Sequence, residues 1–273
     1  MTIQTSLKWA KTELLVSCER PQYEAELLLA YHLKQDRIHL ITHENDEVKD
    51  VEGYVKLVNR RAAHEPYEYI VGSASFYDIH LAVEPGVLIP RPETEILIDL
   101  TAEIIEKKKI TSIAEIGVGT GAISIVLARK FPELKIIATD ICEAPLRVAK
   151  KNIETFGLSD RITLKKSNLI DEVDEDIELL VSNPPYIAED FLLKSNVIDH
   201  EPKEALFGGR IGDELLKQII LDVKNRGVKY LACEMGYDQK EPIGSFVNEI
   251  GVESIKFYKD LAGFDRGFII EFK

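Results

Sequence analysis

The chain has 273 residues, 45% of them apolar, enough to bury a core in a small domain plus a larger one and too many for wholesale disorder. It carries 34 basic and 47 acidic side chains, net −13, shared as −5 over residues 1–90 (9 basic, 14 acidic) and −8 over residues 91–273 (25 basic, 33 acidic). That balance argues against a surface built to grip a nucleic-acid backbone, and the apolar stretches fall far short of the ~20 residues that span a bilayer.

Cys18, Cys142 and Cys233 are odd in number, far apart and in no metal-like spacing. The segment Met1-Thr2-Ile3-Gln4 lacks the basic region and apolar run of a secretion signal. The expectation is a soluble, cytoplasmic protein with reduced thiols, no metal and no membrane association.

The first seventy or so residues read as helices. An apolar-rich run from Glu24 to Leu33 begins just after Pro21, and Tyr54, Leu57, Val58 and Arg61 recur at the spacing of one helical face. Residues 73–90 are rich in β-formers interrupted at Glu84-Pro85-Gly86, which predicts a β-hairpin with its turn at Pro-Gly. From residue 91 strands and helices alternate. Strands are predicted at 113–116, 135–139, 162–164, 177–182, 228–235, 253–258 and 267–272, and helices at 94–107, 121–130, 144–156, 213–226 and 239–250. Alternation of this kind builds a doubly wound, mostly parallel sheet of Rossmann-like α/β type. The last two strands are separated only by Lys259 to Arg266, too short for a parallel crossover, so they form an antiparallel hairpin.

The first of these strands ends in Glu115-Ile116-Gly117-Val118-Gly119-Thr120-Gly121 and passes into a helix. Glycines permit a tight turn and close approach of backbone to a ligand, and a helix N-terminus offers free N–H groups. Asp140, 19 residues after Gly121, closes the second strand where a carboxylate can accept both hydroxyls of a ribose. An adenosine-containing cofactor follows. Gly117-x-Gly119-x-x-Ala122 also satisfies the dinucleotide fingerprint, so the loop alone leaves the cofactor's identity open.

The fourth strand runs into Asn183-Pro184-Pro185-Tyr186. In a doubly wound sheet the first and fourth strands flank the point where strand order reverses, so this tetrapeptide faces the glycine loop across a crevice. Its residues suit methyl transfer to a planar NH₂ group, whose delocalised lone pair must be aimed at the methyl carbon. Asn183 offers a side-chain carbonyl, and Pro185 drives Pro184 from helical geometry so that its carbonyl projects as a second acceptor. Tyr186 offers a flat face for stacking. An adenine-N6 methyltransferase acting on DNA or RNA would use the same chemistry. Against it stand the acidic balance and the absence of an evident target-recognition segment after the sheet.

At these motifs the sequence resembles the HemK/PrmC family of peptide chain release factor glutamine methyltransferases. Glu65-Pro66-Tyr67-Glu68-Tyr69-Ile70-Val71-Gly72 is similar to the family's EPLAYILG segment, and Leu88-Ile89-Pro90-Arg91-Pro92-Glu93-Thr94-Glu95 to its LIPRPETE segment. The glycine loop, Asp140, Asn183 to Ile187, Glu201-Pro202-x-x-Ala205-Leu206 and Ala262-Gly263-x-x-Arg266 follow in the family's order.

The resemblance implies a helical substrate-recognition domain over 1–72, a β-hairpin linker over 73–90 and a class I methyltransferase domain over 91–273. It implies S-adenosyl-L-methionine as cofactor, S-adenosyl-L-homocysteine as product and class 1 peptide chain release factors as partners, with no direct nucleic-acid contact. Glu115, Gly117, Val118, Gly119, Thr120, Gly121, Asp140, Ile141, Asn168, Leu169 and Asn183 would bind the cofactor. Asn183, Pro184, Pro185 and Tyr186 would hold the acceptor glutamine, with Arg91, Glu93 and Thr94 shaping the cleft. Two positions depart from the family: Glu115 stands where Asp is usual, and Asn168 follows Ser167 where an acidic residue is frequent.

Overall fold

A computed structural model describes residues 1–192 and 195–273. Among these residues the chain divides into two units, residues 1–73 with 195–200, and residues 74–192 with 201–273.

The first unit is helical. It contains α1 (Ile3–Glu13), α2 (Pro21–Leu33), α3 (Arg37–Thr42), α4 (Val51–Ala62) and α5 (Tyr67–Val71). Polar side chains start three of them: Thr2 accepts from the N–H of Thr5, Asp36 from that of His39 and Asp50 from that of Gly53. Ile3, Leu28, Leu29, Leu40 and Val58 pack around Tyr54, whose buried hydroxyl donates to the Ala25 carbonyl at 3.0 Å.

The second unit opens with a two-stranded ribbon, β1 (Ser73–Phe76) and β2 (Ile79–Ala82). Its turn falls at Tyr77-Asp78, and the Pro85-Gly86 turn expected at its tip lies beyond it, after β2. Long-range partners decide this. Tyr77, at φ 55°, donates its N–H to Glu95 at 2.8 Å, its phenol is bonded by Asp99 and Lys130, and Asp78 pairs with Arg129 at 2.7 Å. The ribbon is also more than a connector, because Phe76, Ile79 and Leu81 are buried in the same core as Leu97, Ile125 and Ile153.

There follow α6 (Thr94–Lys108), β3 (Ser112–Ile116), α7 (Ala122–Lys130), β4 (Lys135–Asp140), α8 (Glu143–Thr155), β5 (Ile162–Lys166) and β6 (Leu179–Ser182). Two short strands, β7 (Ile187–Ala188) and β8 (Phe207–Gly209), pair in parallel as a separate ribbon, and the short α9 (Ser195–Ile198) between them belongs to the first unit. The chain closes with α10 (Glu214–Arg226), β9 (Tyr230–Glu234), α11 (Lys240–Ile250), β10 (Ser254–Lys259) and β11 (Asp265–Glu271).

Seven strands form one sheet in the order β10-β11-β9-β6-β3-β4-β5. Pairing is parallel from β9 to β5, while β11 runs antiparallel to both β9 and β10, as the short final connection predicts. Side chains of α6, α7 and α8 cover one face; α10 and α11 cover the other. Because both faces are buried, β6 is buried at every position. Strand order reverses between β3 and β6, which lie side by side with Ile116 opposite Ser182. That adjacency brings the two sequence motifs together.

Candidate active site

The glycine loop leaves β3 through backbone that only glycine takes easily, with Gly117 at φ 74° and Gly119 at φ 55°. The N–H groups of Gly117 and Val118 both donate to the Thr139 carbonyl at 2.9 Å, which ties the loop to the end of β4. From α8 the buried Asn152 donates to the Thr120 carbonyl at 2.9 Å and exchanges two hydrogen bonds with the backbone of Ala82, fixing the loop against β2. Asp140 accepts from the N–H of Gly119 at 3.3 Å and of Cys142 at 3.0 Å. A carboxylate has about four acceptor directions, so further hydroxyls can still be received. Burial raises the Asp140 pKa, and its backbone hydrogen bonds oppose that shift.

Glu115 is otherwise engaged. Almost wholly buried, it accepts from the N–H of Ser124 at 3.0 Å and from the Ser124 hydroxyl, in the first turn of α7. Burial pushes its pKa up to about 8, against the pull of the two Ser124 bonds. The longer side chain thus reaches the first turn of α7.

At the end of β6, the Asn183 side chain donates through Nδ2 to the Thr94 hydroxyl at 3.0 Å. Its Oδ1 is left for another donor. Among the described residues no hydrogen bond reaches the Pro184 carbonyl. Two elements brace the loop from behind. Gln239 donates to the Tyr186 carbonyl at 2.8 Å, and Gly208 and Gly212 pack so closely that a side chain on either would meet the backbone of Pro185 or Tyr186.

Two cavities meet here. The larger, about 340 Å³, is lined by Gly117, Gly119, Asp140, Ile141, Asn168, Leu169, Asn183 and Pro185 and walled by Pro202, Ala205 and Phe207. The smaller, about 50 Å³, is lined by Arg91, Thr94, Glu115, Gly117, Val118, Gly119, Thr120 and Asn183. Asn183 and the glycine loop belong to both. The larger has the size of a small-molecule site, apolar with a few polar groups, and the smaller is the size of a single polar side-chain end.

Of the residues singled out from the sequence, Gly121, Glu93, Pro184 and Tyr186 line neither cavity. Gly121 sits at the N-terminus of α7, and Glu93 is exposed at the start of α6. The Tyr186 ring packs against the α10/α11 core with its hydroxyl facing Arg266, so it supports the loop where a stacking face was expected. Arg91 pairs with the buried Glu201 at 2.6 Å. Sequence reading missed Asn152, Gln239, Gly208, Gly212 and Glu234. Each is an ordinary residue type on a distant element, with no local pattern to mark it.

Known proteins agree with this layout. Residues 5–72 match the family model described as the PrmC N-terminal domain, and residues 93–201 match the Methyltransferase small domain. Among solved structures, the delta-N METTL16 MTase domain superposes with a TM-score of 0.55 at 20% identity, covering 71% of this chain and 89% of that one. The N-terminal domain of human METTL16 in complex with SAH does so with a TM-score of 0.53 at 20% identity, over 71% and 76%. At such identity the likeness shows the fold, that of a class I methyltransferase. The match to the Methyltransferase small domain, together with the chain's sequence relatives, shows the protein to be a methyltransferase enzyme.

Proteins named release factor glutamine methyltransferase are far closer in sequence. That of Clostridium botulinum is 38% identical over 90% of each chain, that of Dictyoglomus turgidum 39% over 95% of each, and that of Coxiella burnetii 34% over 97% of each. The chain belongs to the release factor glutamine methyltransferase family.

Proposed function

We propose that this chain transfers a methyl group from S-adenosyl-L-methionine, leaving S-adenosyl-L-homocysteine, to the side-chain amide nitrogen of the glutamine in the Gly-Gly-Gln motif of class 1 peptide chain release factors. The observation that carries the reading is the meeting of the two cavities at Asn183, a donor-sized cleft opening onto a space that fits an amide.

The cleft fits the cofactor by its chemistry. Asp140 has acceptor capacity left for ribose hydroxyls, Asn168 Oδ1 can receive an adenine amino group while its Nδ2 donates to Asp171, and Ile141 and Leu169 offer apolar flanks. Gly117 and Gly119 let the backbone approach closely. When bound, the cofactor supplies an electrophilic methyl carbon. This chain's part is to aim the acceptor. Asn183 Oδ1, on both cavities, receives one amide hydrogen and turns the nitrogen lone pair towards the larger cavity; the Pro184 carbonyl, next in the chain though Pro184 lines neither cavity, receives the other once the acceptor is seated. Such alignment contributes ~7–11 kcal/mol without a general base, and one of the two amide protons is released to solvent as the neutral N-methyl amide forms.

Residues 1–72 serve as the release-factor recognition domain, residues 91–273 as the catalytic domain with the ribbon of 73–90 packed into its core, and the protein acts in the cytoplasm. No helix among the described residues is long and apolar enough to cross a membrane.

Mass spectrometry of a release factor incubated with the protein and cofactor tests this reading. One added methyl on the Gly-Gly-Gln glutamine is expected. Label in DNA or RNA, with none in the release factor, would replace this reading with adenine-N6 methylation.

A further inference from the structure

We propose that Glu234 is a positioning residue for the acceptor: acting through Asn183 and Thr94, its carboxylate fixes the Asn183 amide with Oδ1 turned to the substrate nitrogen. The inference rests on the function proposed above.

Glu234 is the last residue of β9, the strand beside β6. Cys233 pairs with Ser182, so the next residue on each strand, Glu234 and Asn183, emerge side by side at the end of the sheet. Glu234 is 1% exposed beside the Asn183–Thr94 pair, and both of these side chains act to lower its pKa against the effect of burial. Asn183 Nδ2 donates to Thr94 Oγ1 at 3.0 Å, which leaves the Thr94 hydrogen for the carboxylate. An ionised carboxylate can only accept. It therefore calls for N–H and O–H groups around it, and an asparagine meets that demand only with its NH₂ end. The carbonyl end must then face the cavities. The opposite orientation would set two donors, Asn183 Nδ2 and the substrate N–H, against each other.

The surroundings leave this task to few groups. Arg266, on β11, favours the ionised form but is held by Asp260 at 2.8 Å. Glu93, before α6, disfavours it. Tyr186, Cys233 and Tyr258, from the acceptor loop, β9 and β10, complete the surroundings, and among the described residues Tyr258 Oη and Glu234 Oε1 have no hydrogen-bond partner. Burial pushes the Glu234 pKa up to about 7. Protonation gives the carboxyl an O–H that can donate to Oδ1 of a reversed amide, so methyl transfer should fall as pH drops through this region.

The test compares wild-type protein with Glu234→Gln, Thr94→Val and Thr94→Ser. It reads kcat and KM on release factor, cofactor affinity by calorimetry, Tm and the pH profile of kcat. We expect Glu234→Gln to lower kcat roughly 10–100-fold, as loss of an orienting partner does. Cofactor affinity should hold within about threefold, well under the tenfold that 1.4 kcal/mol represents, and the acid limb should disappear. Thr94→Val should lose a similar share of kcat, which Thr94→Ser restores. Should Glu234→Gln fail to fold, the threonine pair decides alone. Equal loss in both threonine variants, wild-type kcat in Glu234→Gln, an unchanged acid limb, or parallel loss of cofactor affinity and turnover each overturns the proposal. A wild-type protein that leaves release factor unmethylated overturns the functional reading and takes this inference with it.

Discussion

Asn183 and Asp140 divide the labour of the site, and substitutions separate their roles. Asn183 touches both cavities and already spends its NH₂ on Thr94. Asn183→Ala should cut kcat by at least ~100-fold, the size of loss seen when one preorganised partner is removed, while cofactor affinity stays within a few-fold. Asp140→Ala should do the reverse, weakening cofactor binding by roughly 1.5–3 kcal/mol with the loss of charge-assisted hydrogen bonds. Calorimetry and steady-state kinetics on the same preparations distinguish the two. Asn183 and Asp140 were legible because their chemistry is tied to a local motif. Glu234 and Asn152 were not, since an isolated glutamate or asparagine in a helix or strand carries no mark of what lies beside it.

At the scale of the element, β8 and the turn after it press closely on the back of the acceptor loop. Gly212 has φ 97°, and a methyl there would stand 2.6 Å from the Tyr186 carbonyl and 2.8 Å from the Ala188 nitrogen. Gly212→Ala should therefore cost about 1–3 kcal/mol, from left-handed strain and a displaced backbone. It should lower Tm by several degrees and reduce turnover, because the shifted atoms carry the acceptor loop. A thermal melt together with an activity assay checks both. The seven strands of the main sheet and the five long helices of the second unit were readable from alternation alone, their ends lying within two residues of expectation; the short β7, α9 and β8 were not foreseen. The β1/β2 turn was not. Pro85-Gly86 is the stronger local signal, yet Tyr77-Asp78 turns because Glu95, Asp99, Lys130 and Arg129 hold it. Tertiary hydrogen bonds outweighed local turn preference.

For the whole molecule, two deeply buried carboxyl groups give stability an unusual pH dependence. Glu115 and Glu234 rise from 4.5 to about 8 and about 7 on folding, chiefly through burial. Between those values the folded chain holds protons that the unfolded chain has released. Their stabilising contribution is thus complete below about 4.5 and is lost as pH climbs through 7 and 8. Tm should fall from pH 5.5 to 8.5, and Glu115→Gln should flatten the upper part of that fall in calorimetric melts at several pH values. With Glu234 governing the Asn183 amide, the pH of greatest stability should lie below that of greatest activity.

By itself the sequence determined the class of fold, the order of its elements, the glycine loop and the acceptor tetrapeptide, because each rests on periodicity or on residue types adjacent along the chain. Only the tertiary structure decided that Glu115 serves α7, that Tyr186 stands behind its loop and that the buried Glu234 lies beside the hydrogen-bonded pair Asn183 and Thr94. The reason is physical. Burial and hydrogen-bond partners are properties of space, and residues 94, 183 and 234 become neighbours only when β6 lies beside β9 with α6 packed across the sheet.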